Sequence, residues 1–161
     1  MRSTTVVFDT IKVNIDEKVI AEFKKYEQSV GRCEQGGILL GKYNPTDREY
    51  VITDITIPGS NDKQGPFFFV RDRIDAQEQI NEYWNESDGI INYLGEWHTH
   101  PQEYPIPSHV DNALIRQVID DGSVIWPEML MIIVGIKNTI TLIVTEKSVE
   151  NRKQYKKEMK Y

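Results

Sequence analysis

Histidine and cysteine are both scarce in this chain of 161 residues, and long apolar runs are missing. The single cysteine, Cys33, excludes an intrachain disulfide and fits a reducing compartment. The longest apolar run, MLMIIVGI from Met129 to Ile136, is far short of the about 20 residues that a helical membrane span requires. The opening MRSTTVVFDTIKVNID has no charged head followed by an apolar stretch, so no secretory signal is expected and the expected location is the cytoplasm. A basic excess is also missing. The formal net charge of -6 repels phosphate backbones, which argues against nucleic acid as a partner. What remains, 39% hydrophobic and 27% charged residues, suits one globular domain with a real core.

Local patterns alternate between strand and helix. TTVVFDTIKVNI reads as an opening strand or two. In DEKVIAEFKKYEQSV the apolar residues Val19, Ile20, Phe23, Tyr26 and Val30 recur at helical spacing, which predicts a helix over 17–30 capped by Asp16 and stopped at Gly31. CEQGGILLGKY and EYVITDITIPG predict strands, the first one buried. FFFVRD predicts a strand buried on both faces, and DAQEQINEYWNES a helix with Ile80, Tyr83 and Trp84 inward. IINYLGEWHTH predicts a strand, and QEYPIP, with two prolines, a loop. SHVDNALIRQVIDDG predicts a third helix with Ala113, Leu114, Val118 and Ile115 on its inner face. EMLMIIVGIKNTITLIVTE predicts a hairpin turning near KNT. The polar tail over 147–161 is expected to be a solvated helix or a frayed end, with docking through Lys153, Lys156 and Lys157 as the alternative. The result is a single α/β or α+β domain around a mixed sheet with about three helices.

All three histidines fall in GEWHTHPQEYPIPSHVDNA, Gly95 to Ala113. His98 and His100 stand two apart on an expected strand, so both rings face one side. Pro101 turns the chain, and the loop to Pro107 returns it to a helix whose first turn carries Ser108 and Asp111. Asp111 can aim its carboxylate back at the strand end. Two imidazoles and one carboxylate leave a zinc position open, as catalytic rather than structural sites do. His109 is a rival third ligand but is expected to face solvent. Each half has a plainer explanation alone: His-x-His pairs occur on surface strands without metal, and Ser-x-x-Asp is close to a capping box. The conjunction is denser than either, and capping explains neither histidine. Peptide cleavage would also need a proton-shuttling carboxylate. Glu96 shares the expected face of His98, and Glu34 opens a glycine-rich buried strand where a lone carboxylate is costly. Spacing leaves these two open.

HTHPQEYPIPSHVD has the order His-x-His-Pro, six residues, Ser-x-x-Asp, and CEQGGILLG places a glutamate before a Gly-Gly turn. In these motifs, from Glu34 to Asp111, the chain resembles the JAMM, or MPN/JAB-type, zinc isopeptidases. It is most similar to small bacterial members found in integrative and conjugative elements and in anti-phage CBASS operons. The resemblance implies an MPN/JAB-type, cytidine-deaminase-like fold and one zinc ion per chain held by His98, His100 and Asp111. It implies Glu34 as general acid/base, which decides the choice against Glu96, and Ser108 as donor to the tetrahedral oxyanion. The implied substrate is a ubiquitin-like protein, or another protein conjugated through its C-terminus, which in CBASS relatives is a nucleotidyltransferase. Trimming of a sulfur-carrier or ubiquitin-like precursor, and a metal-free interaction scaffold, are the alternatives. Little room for an insertion follows Asp111, which favours recognition of the acyl-side tail alone.

Overall fold

The opening stretch TTVVFDTIKVNI folds as two strands because the chain reverses between them at Asp9, whose φ is 50°. A computed structural model describes residues 2–148, 150 and 152–161. Strand β1 (Ser3–Phe8) pairs antiparallel with β2 (Ile11–Asp16), and helix α1 (Glu17–Lys25) follows. Then come β3 (Gly36–Asn44), β4 (Glu49–Ile55), the short β5 (Lys63–Gly65) and β6 (Phe68–Val70), α2 (Arg73–Glu86), β7 (Asn92–Thr99), α3 (His109–Asp120), β8 (Glu128–Val134), β9 (Thr139–Glu146) and β10 (Gln154–Lys160).

Among the described residues eight strands form one sheet in the order β1-β2-β4-β3-β7-β8-β9-β10, while β5 and β6 pair separately. The β2·β4 and β7·β8 pairs are parallel and the other described pairs antiparallel, so the sheet is mixed as expected. Both faces are buried in the centre. Along β8, Leu130, Ile132 and Val134 enter one core with Phe23 of α1, while Met129, Met131 and Ile133 enter another beneath α3. Period-2 alternation across a doubly covered strand gives this continuous apolar run. The sheet curls until its outermost strands meet: Phe8 of β1 lies 5.7 Å, ring to ring, from Tyr155 of β10.

Several expectations hold. Asp16 caps α1 by accepting from the Lys18 amide. Lys137 and Asn138 both take φ near +60° in the tight turn that joins β8 to β9. Others need correction. Helix α1 stops at Lys25 rather than Val30, because the chain after it dives inward: Tyr26 packs on Trp97 at 5.5 Å and Gln28 is buried. FFFVRD is not buried on both faces. Phe67 is 87% exposed, since β5 and β6 stand off the main sheet. In α2 the buried residue is Ala76, and Trp84 is exposed. In α3, Ile115, Val118 and Ile119 are buried, whereas Ala113 is exposed. The expected helix or frayed end over 147–161 is instead strand β10 from Gln154, which buries part of Tyr155 and Met159 against the first core. Met1, Val149 and Asn151, which fall in the opening and tail readings, lie outside the described residues. Among the described residues no helix is long and apolar enough to cross a membrane.

Candidate metal centre

His98 and His100 sit where β7 ends, in the middle of the sheet. β7 pairs with β3 on one side, Gly36 opposite His98, and with β8 on the other. Running the β3·β7 register two residues further sets Glu34 opposite His100. Gly36 has no room for a side chain here, because a Cβ would fall 2.4 Å from the Trp97 carbonyl and 3.0 Å from the His98 Cβ. The loop 100–108 then carries the chain over to α3, whose first turn faces back toward the strand end.

His98 and His100 lie with ring centroids 4.9 Å apart. His98 Nε2 is 2.9 Å from Asp111 Oδ1, and His100 Nε2 is 3.4 Å from Asp111 Oδ2. The three residues are buried, and one ligand atom from each lies within 4.8 Å of the others. His98 Nε2 is buried and makes no directed hydrogen bond despite its closeness to the carboxylate. A buried imidazole nitrogen and a carboxylate oxygen that converge in this way are placed as co-ligands of a cation would be. Two imidazoles and one carboxylate are a donor set that suits zinc and similar divalent ions, so these residues fit a metal. The site's charges are strongly coupled. Burial opposes ionisation of Asp111, but its contacts with His100 and His98 hold it well below the usual carboxylate range. Burial opposes the charge on His100 too, but Asp111, with help from Glu34 and Gln102, more than reverses that, so His100 is raised.

Glu34 faces this cluster from the loop before β3, its Oε1 3.6 Å from His100 Nε2. Burial pushes its carboxyl up, against the pull of the two imidazoles. Ser108 caps α3 in a capping box: its hydroxyl accepts from the Asp111 amide at 3.1 Å, and its own amide donates to Asp111 Oδ2 at 2.7 Å. The cap therefore also fixes the Asp111 carboxylate. His109 is exposed and stands outside the cluster. Glu96, the rival carboxylate, is buried but occupied: Arg71 Nε donates to both its oxygens at 2.9 and 3.0 Å, and the Tyr93 hydroxyl donates at 2.7 Å. Arg71 was not legible as a partner because it lies 25 residues away, and Tyr93 was not because plain strand alternation puts residues three apart on opposite faces, which the register shift at Gly95 undoes.

Glu34, His98 and Asp111 line one part of a groove of about 540 Å³. Its walls are the stretch Phe67–Arg71 and the helix α3 from Val110 onward. From Val110 to Asp121 a rise of about 1.5 Å per residue gives a length of roughly 16 Å. An extended peptide at about 3.3 Å per residue would place roughly five residues there. Sequence reasoning missed this wall, because three adjacent phenylalanines read as core.

The family of prokaryotic homologs of the JAB domain matches residues 16–148. A protein of Escherichia coli named "CD-NTase/cGAS isopeptidase" is 36% identical over 127 residues, covering 78% of this chain and 78% of that protein. "Probable metalloprotease y4qB" of Sinorhizobium fredii is 28% identical over 120 residues, covering 74% of this chain and 73% of that protein. The solution structure of protein DSY2949 from Desulfitobacterium hafniense superposes with a TM-score of 0.55 over 86% of this chain and 84% of that one; at 16% identity it shows a shared fold.

Proposed function

The chain belongs to the prokaryotic JAB-domain family, and on that premise we propose that it is a zinc-dependent isopeptidase. Its substrate would be a protein conjugated through its C-terminal tail, a CD-NTase of the kind its E. coli relative is named for, released in anti-phage defence. The observation that supports this best is the convergence of His98, His100 and Asp111 with a fourth side chain, Glu34, 3.6 Å from His100. Three protein donors leave a fourth position open, as catalytic rather than structural zinc sites do, and an added carboxylate from the segment before β3 suits hydrolysis.

In this reading His98, His100 and Asp111 hold the metal, which when bound supplies Lewis acidity, polarising a carbonyl and acidifying water. Glu34 takes a proton from the attacking water and delivers it to the departing amine. Its buried position supports that role, because burial pushes its carboxyl up toward the range of a working acid/base. Ser108 keeps a hydroxyl hydrogen free, since its oxygen acts as acceptor in the cap. That hydrogen can be donated to the oxyanion as the carbonyl becomes tetrahedral. The acyl-side tail would lie extended in the groove between the Phe67–Arg71 wall and α3, its apolar side chains against Val110 and Leu114.

The test uses zinc-loaded protein and a CD-NTase or ubiquitin-like protein joined through its C-terminus to a lysine side chain, read by intact mass. Cleavage directly after the tail is expected. Glu34→Gln should keep the metal and lose about 10²–10⁴-fold in rate, because only the proton shuttle goes. Equal rates for Glu34→Gln and the parent would remove Glu34 from the reaction.

A further inference from the structure

Glu34 lies on no regular element: α1 ends at Lys25 and β3 begins at Gly36. Something must fix this irregular segment against the histidines. Within it Gln28 is only 3% exposed. Glutamine is seldom so buried unless its amide is satisfied, and here both ends are. Nε2 donates to the Arg32 carbonyl at 2.7 Å and to the Pro66 carbonyl at 3.2 Å, and Oε1 accepts from the Thr99 hydroxyl at 3.2 Å.

The three partners belong to three pieces of the site. Arg32 precedes Glu34 by two residues. Pro66 follows Gly65, whose carbonyl accepts from the Glu34 amide at 2.7 Å. Thr99 stands between His98 and His100. Thr99 then closes a circuit onto Gln35: its amide donates to the Gln35 carbonyl at 2.9 Å, and its hydroxyl accepts from the Gln35 amide at 3.0 Å. One buried amide thus ties the chain before Glu34, the hairpin beside it and the end of β7 between the two histidines. An apolar side chain of the same length would fill the space but leave two carbonyls and a hydroxyl without their partner.

We propose that Gln28 is a positioning residue that sets the Glu34 carboxylate against the histidine pair, acting through Thr99 and the turn at Gly65–Pro66. The proposal rests on Glu34 as the proton-transfer group. A displacement of about 1 Å in such a group lowers rate by as much as about 10²-fold without touching the metal.

The full-length, zinc-loaded protein is compared with Gln28→Met, Thr99→Val, the double variant and Thr99→Ser. Each of the first two should lower kcat by about 10-fold to 10²-fold while KM and zinc content stay near the parent's. The double variant should be no slower than the slower single, because both break one circuit. Thr99→Ser, which keeps the hydroxyl, should restore the rate. Independently of turnover, amide hydrogen exchange should rise across residues 31–36 in Gln28→Met and stay unchanged in β8 and β9. Parent-like kcat in Gln28→Met, additive losses in the double variant, or unchanged exchange at 31–36 would each overturn the proposal. If Gln28→Met does not fold, the Thr99→Val and Thr99→Ser pair decides it by rate and exchange. Normal turnover by Glu34→Gln defeats the functional reading instead, and the exchange data still report whether Gln28 holds the segment.

Discussion

In the proposed reaction Ser108 would carry two jobs on one oxygen, and they can be separated by measurement. Its acceptor side caps α3 through the Asp111 amide, and its hydrogen would go to a substrate oxyanion. Ser108→Ala should therefore lower stability by about 0.5–2 kcal/mol, as loss of a cap does, and lower kcat by about 10²–10³-fold, as loss of an oxyanion donor does. Thermal unfolding and turnover on the same preparation check this; a stability loss with an intact rate would leave Ser108 a cap alone. Asp111→Ala should abolish metal binding measured on purified protein, whereas His109→Ala should retain it, because His109 is exposed and outside the cluster. The reverse result would make His109 the third ligand. These residues were legible in the sequence because His98, His100, Ser108 and Asp111 lie within one short stretch and imidazole is scarce elsewhere. Spacing alone did not separate Glu34 from Glu96. What distinguishes them is Arg71, which neutralises Glu96 across the groove, and no local pattern announces a partner 25 residues away.

Elements were read well where both faces are covered and poorly where burial depends on a distant neighbour. β8 is a continuous apolar run and β9 is buried along nearly its whole length, so their hairpin was legible down to its KNT turn. Val30 continued the helical spacing of α1, yet the chain leaves the helix after Lys25 so that Gln28 can reach Arg32, Pro66 and Thr99. Periodicity sees the apolar face and not the buried amide. The same holds for Phe67 and Phe68, whose side chains face the groove rather than a core. One glycine shows how tightly the histidine-bearing strand is set. Gly95 has φ 155°, and a Cβ there would sit 1.7 Å from the Leu130 carbonyl oxygen in β8. Gly95→Ala should push β7 off β8 directly below His98 and cost more than about 4 kcal/mol, the range of severe core disruptions. Gly122→Ala, with φ 71° and nothing within 4 Å, should cost only the strain of its backbone. Comparing the two melting temperatures tests whether close approach, rather than glycine itself, is what β7 requires.

At the scale of the whole molecule, the sheet keeps its stability and its chemistry in different places. The proposed metal ligands His98 and His100 lie at the end of β7, while β10 is three strands away, about 14 Å at the usual strand spacing. The curling that brings Phe8 to Tyr155 depends on contacts between the two ends of the chain, which is why the tail was read as solvated: its half-buried Tyr155 and Met159 have no nearby apolar neighbours in sequence to give a period. Sites separated by more than about 10 Å with no shared partner act additively on stability. Tyr155→Ala, which loses part of a ring's burial and an aromatic pair, should destabilise by about 1–2 kcal/mol, a fall in Tm of roughly 2–8 °C for a domain of this size. Chelation of the metal should lower Tm separately, by the binding energy lost, which is about 2.7 kcal/mol where the free ion stands at 100 times its Kd. The two losses should sum when combined, and kcat of zinc-loaded Tyr155→Ala at a temperature well below its Tm should match the parent. A Tyr155→Ala protein that unfolds without further loss on chelation would instead mean that the β1–β10 closure and the metal centre form one cooperative unit, with the ion bound only when the sheet is closed.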